Sequence, residues 1–159
     1  MASNFERMIQ LAEDVFASKN DPDQLGVNPD ILERLSHIHP STISEFDDGL
    51  GPVVWVLVIP TTQDIMNRFL DHSINENELF ELTSPGISYE AIYLCSALVL
   101  EEYRRNGITL KLALKAIENI RKDHPIRSLF VWTFTTEGDL TADTIAWKAS
   151  LPLYKREQT

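Results

Sequence analysis

Apolar positions along this chain fall into two rhythms, and the changes between them mark its elements. Phe5, Met8, Ile9, Ala12, Val15 and Phe16 follow helical spacing behind a Ser3-x-x-Glu6 capping box, which predicts a helix over 4–18. Lys19 to Asp23 reads as a loop, and Asn28-Pro29 as an N-cap with proline at the first helical position. The stripe Ile31, Leu32, Leu35, Ile38 follows, and Pro40 stops that helix. Ser44 to Gly51 is acidic and contains glycine, so a loop is expected. Val53 to Ile59 is a continuous apolar run, the pattern of a strand buried on both faces, with Pro60 expected to end it. Thr61 or Thr62 should cap a helix through Leu70, with Ile65, Met66, Phe69 and Leu70 inward, and Asn75 a shorter one carrying Leu79 and Phe80. Pro85-Gly86 turns into the next segment.

That segment organises the rest. Residues 89–100 are rich in β-branched, aromatic and aliphatic side chains and predict a long buried strand. Glu101, Glu102, Arg104, Arg105, Asn106 and Gly107 then form a polar turn. Leu110, Ala113, Leu114, Ile117 and Ile120 recur at helical spacing, predicting a helix over 108–122. Asp123-His124-Pro125 breaks the chain before a strand at 128–135, Gly138-Asp139 is expected to turn into a helix over 141–149, and Leu151 to Tyr154 is a short extended piece. Strand, helix, strand over 89–135 is a βαβ unit, whose strands should lie parallel. The first turn of a helix holds N–H groups without intrahelical partners and a partial positive charge. Arg104, Arg105 and Gly107 placed there make a candidate phosphate site.

The stretch Val99 to Thr109 resembles the acyl-CoA-binding motif of the GNAT superfamily of N-acetyltransferases. In that motif a hydrophobic strand, often followed by a Pro-Glu-Tyr-like turn, leads to Arg/Gln-x-x-Gly-x-Gly/Ala at a helix N-terminus. Arg104, Gly107 and Thr109 stand at the motif positions; Glu101 replaces the common proline, and Thr109 the final small residue. The resemblance implies one α/β domain over 1–159, with a central mixed sheet flanked by helices. Extra N-terminal helices, helices between the strand at 53–59 and the central strand, and a shortened C-terminal sheet distinguish it from the common pattern. It also implies that acetyl-CoA, or another acyl-CoA, lies where strands 89–100 and 128–135 part. Leu98, Val99 and Leu100 would hold the thioester and pantetheine arm. Arg104 and Arg105, with the N–H groups of Asn106, Gly107, Ile108 and Thr109, would surround the pyrophosphate. The implied activity is acetyl-CoA-dependent N-acetyl transfer to an amine that the sequence does not identify. The alternative is a catalytically inactive GNAT-like CoA-binding or regulatory/interaction module that keeps the fold.

No catalytic residue is assigned by the sequence. The tyrosine that in many members of the family protonates the thiolate aligns with Trp147, whose indole cannot serve as that acid, and Tyr154 is the nearest phenol. Glu101 and Glu102 sit where a base would be useful, although turn acids are commonly just solvated. Core packing accounts for Cys95 better than nucleophilic chemistry. His37 and His39 lack a clear third ligand, so no metal is expected. The 159 residues carry a net charge of −10, which argues against general nucleic-acid binding and is compatible with a cationic amine substrate. A single cysteine, no visible signal peptide and no membrane-length apolar run point to a cytoplasmic protein, with a homodimer left open.

Overall fold

The computed structural model describes residues 2–19, 29–133 and 135–157. The loop expected at 20–23, the Asn28 cap, Phe134 and the side chains of Val15 and Phe16 lie outside the described residues.

Two helices, α1 (Asn4–Lys19) and α2 (Pro29–Ile38), precede a hairpin of β1 (Ile43–Asp47) and β2 (Pro52–Thr61). Helices α3 (Gln63–Leu70) and α4 (Glu76–Leu82) lead to β3 (Ala91–Val99), and a short 3-10 turn, Glu101–Tyr103, joins β3 to α5 (Ile108–Asp123). The chain ends through β4 (Ser128–Val131), α6 (Thr136–Ala149) and β5 (Leu153–Lys155). The five strands form one mixed sheet in sequence order. Its first two pairings are antiparallel and its last two parallel.

The expected parallel pairing of the central strand with its successor is present, in the register Ala91–Ser128 to Leu94–Val131. Both helices expected between β2 and β3 are present too. Thr62 caps α3 through Ile65 N–H, and Asn75 with Glu78 forms a reciprocal capping box on α4. One face of β3 and β4 is covered by Phe69 of α3, whose ring centroid lies 5.0 Å from that of Tyr93 and 5.8 Å from that of Phe130. On β3 and β4 the intervening residues Ile92 and Leu129 are buried as well. Helix α5 packs on α6 and on β2, so the parallel strands are covered on both faces.

Several boundaries differ from the sequence expectation; among them, β3 spans Ala91–Val99 rather than 89–100. The acidic stretch expected as a loop contains β1, whose outward residues are exposed. An edge strand needs pairing rather than burial, and charged residues along it discourage further pairing, so it carries no apolar alternation. Pro60 does not end β2, which continues to Thr61. Thr61 C=O accepts from Glu90 N–H. The groups of Pro60 therefore point to the other side, where β1 has already ended and no donor is needed. Strand β4 stops at Val131 rather than 135, because Thr135 instead caps α6 by accepting from Gly138 N–H. Helix α6 consequently starts at Thr136, with Gly138 and Asp139 inside its first turn rather than in a turn before it. The extended piece at the C-terminal end becomes β5, parallel to β4.

Candidate functional site

The site is made by a strand that leaves its neighbour. Against β2, Leu57 lies opposite Ser96 while Val58 lies opposite Leu94, so Cys95 is an extra residue in β3. Such a bulge bends the strand and increases its twist. The last pair with β4 is Leu94–Val131. Beyond it β3 continues to Val99 past the end of its ladder with β4, and its side chains pass from buried to half-buried or exposed. Leu100 N–H donates to Val53 C=O at 3.0 Å. The antiparallel alternation then turns the peptide groups of Leu98 and Leu100 toward β2, and those of Val99 and Ala97 toward the open side. Ala97, which the motif does not single out, thus joins Val99 on the open edge. The bulge itself left no mark in the sequence, since no glycine flags it.

At the far end of the open edge the chain turns through the polar loop. Arg104 Nε donates to Val99 C=O at 3.3 Å. Arg105 has a left-handed backbone, φ +63°, and Gly107, φ +81°, is the N-cap of α5. A Cβ on Gly107 would meet nothing within 4 Å, so the glycine is there for its conformation and for the open space in front of it. Asn106 Oδ1 accepts from Ile108 N–H at 3.2 Å, which leaves the N–H groups of Thr109 and Leu110 in the first turn for another acceptor. That turn contains no acid, whereas α6 begins with Glu137 and Asp139. Arg104, Arg105, Asn106, Gly107, Ile108 and Thr109 are therefore one contiguous surface at the mouth of the gap, and Val99 lies on its wall. The donor set fits a phosphate ester: two guanidinium groups, free backbone N–H groups and a helix N-terminus.

The candidate acid and base residues are placed less favourably. Glu102 accepts two bonds from the Arg7 guanidinium, at 2.8 and 2.7 Å, and that pairing lowers its pKa. Tyr93 OH donates to the buried Glu76, Tyr89 OH to Ser84 C=O, and Tyr103 OH to Asp48. Tyr154 lies on the outer strand β5, 47% exposed, and Trp147 on α6 is 79% exposed. Cys95, expected in the core, is half-buried and sits at the point where β3 and β4 part. Among the described residues no group of histidine, cysteine, aspartate and glutamate could hold a metal ion, and no helix is long and apolar enough to cross a membrane.

No family model matches the sequence, and no curated protein matches it. The structure is similar to that of Naa20 from Chaetomium thermophilum, an N-acetyltransferase solved in complex with a bisubstrate analogue. The TM-score is 0.50 at 16% identity, over 91% of this chain and 63% of that one. The chain thus spans less than two thirds of the length of the structure it resembles. The likeness is one of fold: a five-stranded mixed sheet flanked by helices, a GNAT-like fold.

Proposed function

We propose that this protein binds acetyl-CoA, or another acyl-CoA, and transfers the acyl group to an amine. The observation that carries this reading is the parting of β3 from β4 beyond Leu94–Val131, directly before a glycine-capped, acid-free helix N-terminus. Such a gap offers strand-edge peptide groups outside the β4 ladder to an amide-containing arm and a cationic end to a pyrophosphate. When bound, acyl-CoA supplies the activated thioester. The chain's own part is to fix the pyrophosphate with Arg104, Arg105 and the α5 N-terminus, and to hold the arm along Ala97 and Val99. The net charge of −10 favours a cationic acceptor, in keeping with an amine. We place the protein in the cytoplasm and leave its self-association to measurement.

The binding half of the proposal is tested by calorimetric titration with CoA. Charge-assisted bonds to phosphate contribute roughly 1.5–3 kcal/mol each. Replacing Arg104 and Arg105 together by Ala should weaken CoA binding by one to a few orders of magnitude, at about 1.4 kcal/mol per tenfold. A parent protein that binds no CoA at millimolar concentration ends the proposal.

A second reading, a CoA-binding module without catalysis, draws on the acid and base positions. Three phenols are engaged with acceptors, Glu102 is locked to Arg7, and Trp147 stands where the resemblance calls for tyrosine. Turnover of acetyl-CoA against an amine panel separates the two readings.

A further inference from the structure

The loop that bears the cationic residues does not rest on the sheet alone. After the Leu100 N–H bond to Val53, its own backbone supplies only Tyr103 N–H to Leu100 C=O at 2.9 Å and Arg104 N–H to Glu101 C=O at 3.2 Å. Two side chains of the 3-10 turn reach outward instead. Glu102 takes the paired N–H groups of Arg7 from α1, a fork-to-fork contact between residues 95 apart in sequence. Tyr103 OH donates to Asp48 Oδ2, from the β1–β2 connection. Asp48 is itself held through Oδ1, which accepts from Asn4 Nδ2 at 3.0 Å and from Leu50 N–H at 2.8 Å. Asn4 and Arg7 lie one helical turn apart on α1, so a single helix end anchors both contacts. The ionisation preferences agree with the geometry: the Tyr103 bond lowers the pKa of Asp48, and the Arg7 bond lowers that of Glu102. At neutral pH both acceptors are in the form the contacts need.

We infer that Arg7, Asp48 and Asn4 are positioning residues for the CoA site, acting through Glu102 and Tyr103. They fix the turn from which Arg104, Arg105 and Gly107 are presented, so the loop is ordered before the ligand arrives. A binding loop that must be ordered on binding loses affinity, at about 0.5–1.5 kcal/mol per immobilised side chain, or roughly twofold to tenfold each. This gives α1 a role in the site. The inference rests on the CoA reading above.

The discriminating variants are Glu102→Ala and Tyr103→Phe, singly and together. Glu102→Ala removes a negative charge beside an anion site, so a purely electrostatic role predicts tighter CoA binding. The clamp predicts weaker binding. Tyr103→Phe changes no charge at all. Each single variant should weaken CoA binding by about threefold, and the pair by about tenfold. Melting temperature should stay within about 2 °C, because surface contacts contribute little to global stability. The exchanged pair Arg7→Glu with Glu102→Arg should restore most of the affinity lost in Arg7→Glu alone. Unchanged or tighter binding in the Glu102→Ala and Tyr103→Phe variants overturns the inference, as does failure of the exchanged pair to rescue. Amide hydrogen exchange of residues 105–110 without ligand is read in parallel. If the parent binds no CoA, the nucleotide reading falls. Exchange then decides the clamp by itself: faster in the variants supports a held loop, and equal rates reject it.

Discussion

Arg105 stands between two anions, one present and one proposed. Its guanidinium lies 3.1 Å from the carboxylate of Glu137, with both side chains more than three-quarters exposed. The pair crosses the mouth of the gap, since Arg105 follows β3 and Glu137 opens α6 after β4. For Arg105 to meet a pyrophosphate it must leave Glu137, and the carboxylate adds repulsion at the entrance. Glu137→Gln should therefore tighten CoA binding by about twofold to fivefold at low ionic strength, the scale of a surface ion pair. The gain should shrink as salt screens the charges. Calorimetry on parent and variant checks it, and weaker binding in the variant would show that Glu137 assists the site instead. Gly107 makes a complementary point at the same scale. With open space around its missing Cβ, its φ of +81° is what singles out glycine there.

At the scale of elements, the end of α5 remote from the gap is fastened by two histidines. His39, just after α2, has Nε2 2.7 Å from Asp123 Oδ2 and accepts Ser41 N–H on Nδ1 at 3.0 Å. His124 accepts Tyr89 N–H on Nδ1 at 3.3 Å, its ring 4.6 Å from the Tyr89 ring and 5.9 Å from that of His39. Burial first, and then the neighbouring His39, lowers the pKa of His124 below its ordinary 6.5. The unfolded chain therefore takes up this proton more readily than the folded one. The stabilisation is complete above about pH 6.5 and is lost as pH falls from there through the lower folded value. Protonation would also cost the Tyr89 N–H its acceptor. Asp123 is the charged group facing both rings. Thermal melts from pH 7.5 to 5.5 should show the parent losing stability. A His124→Asn variant, whose Oδ1 can still accept from Tyr89, should lose less. Parallel curves for the two would exclude His124 as the source.

At the scale of the whole molecule, Phe69 is where the layers meet. It is fully buried, its ring packs edge-on to Tyr93, Phe130 and Trp132, and the Arg156 guanidinium lies 4.3 Å from its centroid. One side chain of α3 therefore joins β3, β4 and the segment after β5, beside the point where β3 and β4 part. Phe69→Ala should destabilise the fold by about 3–5 kcal/mol, a large share of the roughly 5–15 kcal/mol that holds a domain together. Urea denaturation measures it. A loss below about 1.5 kcal/mol would mean that the aromatic cluster repacks around the gap.

What could be read in the sequence is what local interactions decide. The caps Thr62 and Asn75, the helical stripes of α3 to α5 and the apolar runs of β2 and β3 are visible because each is set by residues within a few positions. So is the cationic, glycine-capped start of α5, because its residues are consecutive in the chain. The remainder depended on partners distant in the chain. Strand β1 exists because β2 offers it hydrogen bonds, which its acidic sequence does not announce. Pro60 stays within β2 because of which side β1 leaves empty, and β4 stops where Thr135 turns to cap α6. The bulge at Cys95, which opens the gap, is a mismatch of register between two strands and has no residue of its own to signal it. The grip of Arg7 on Glu102 joins residues 95 positions apart. Local chemistry thus marked the candidate anion site in the sequence, and tertiary packing alone decided that a gap lies beside it and what holds its loop.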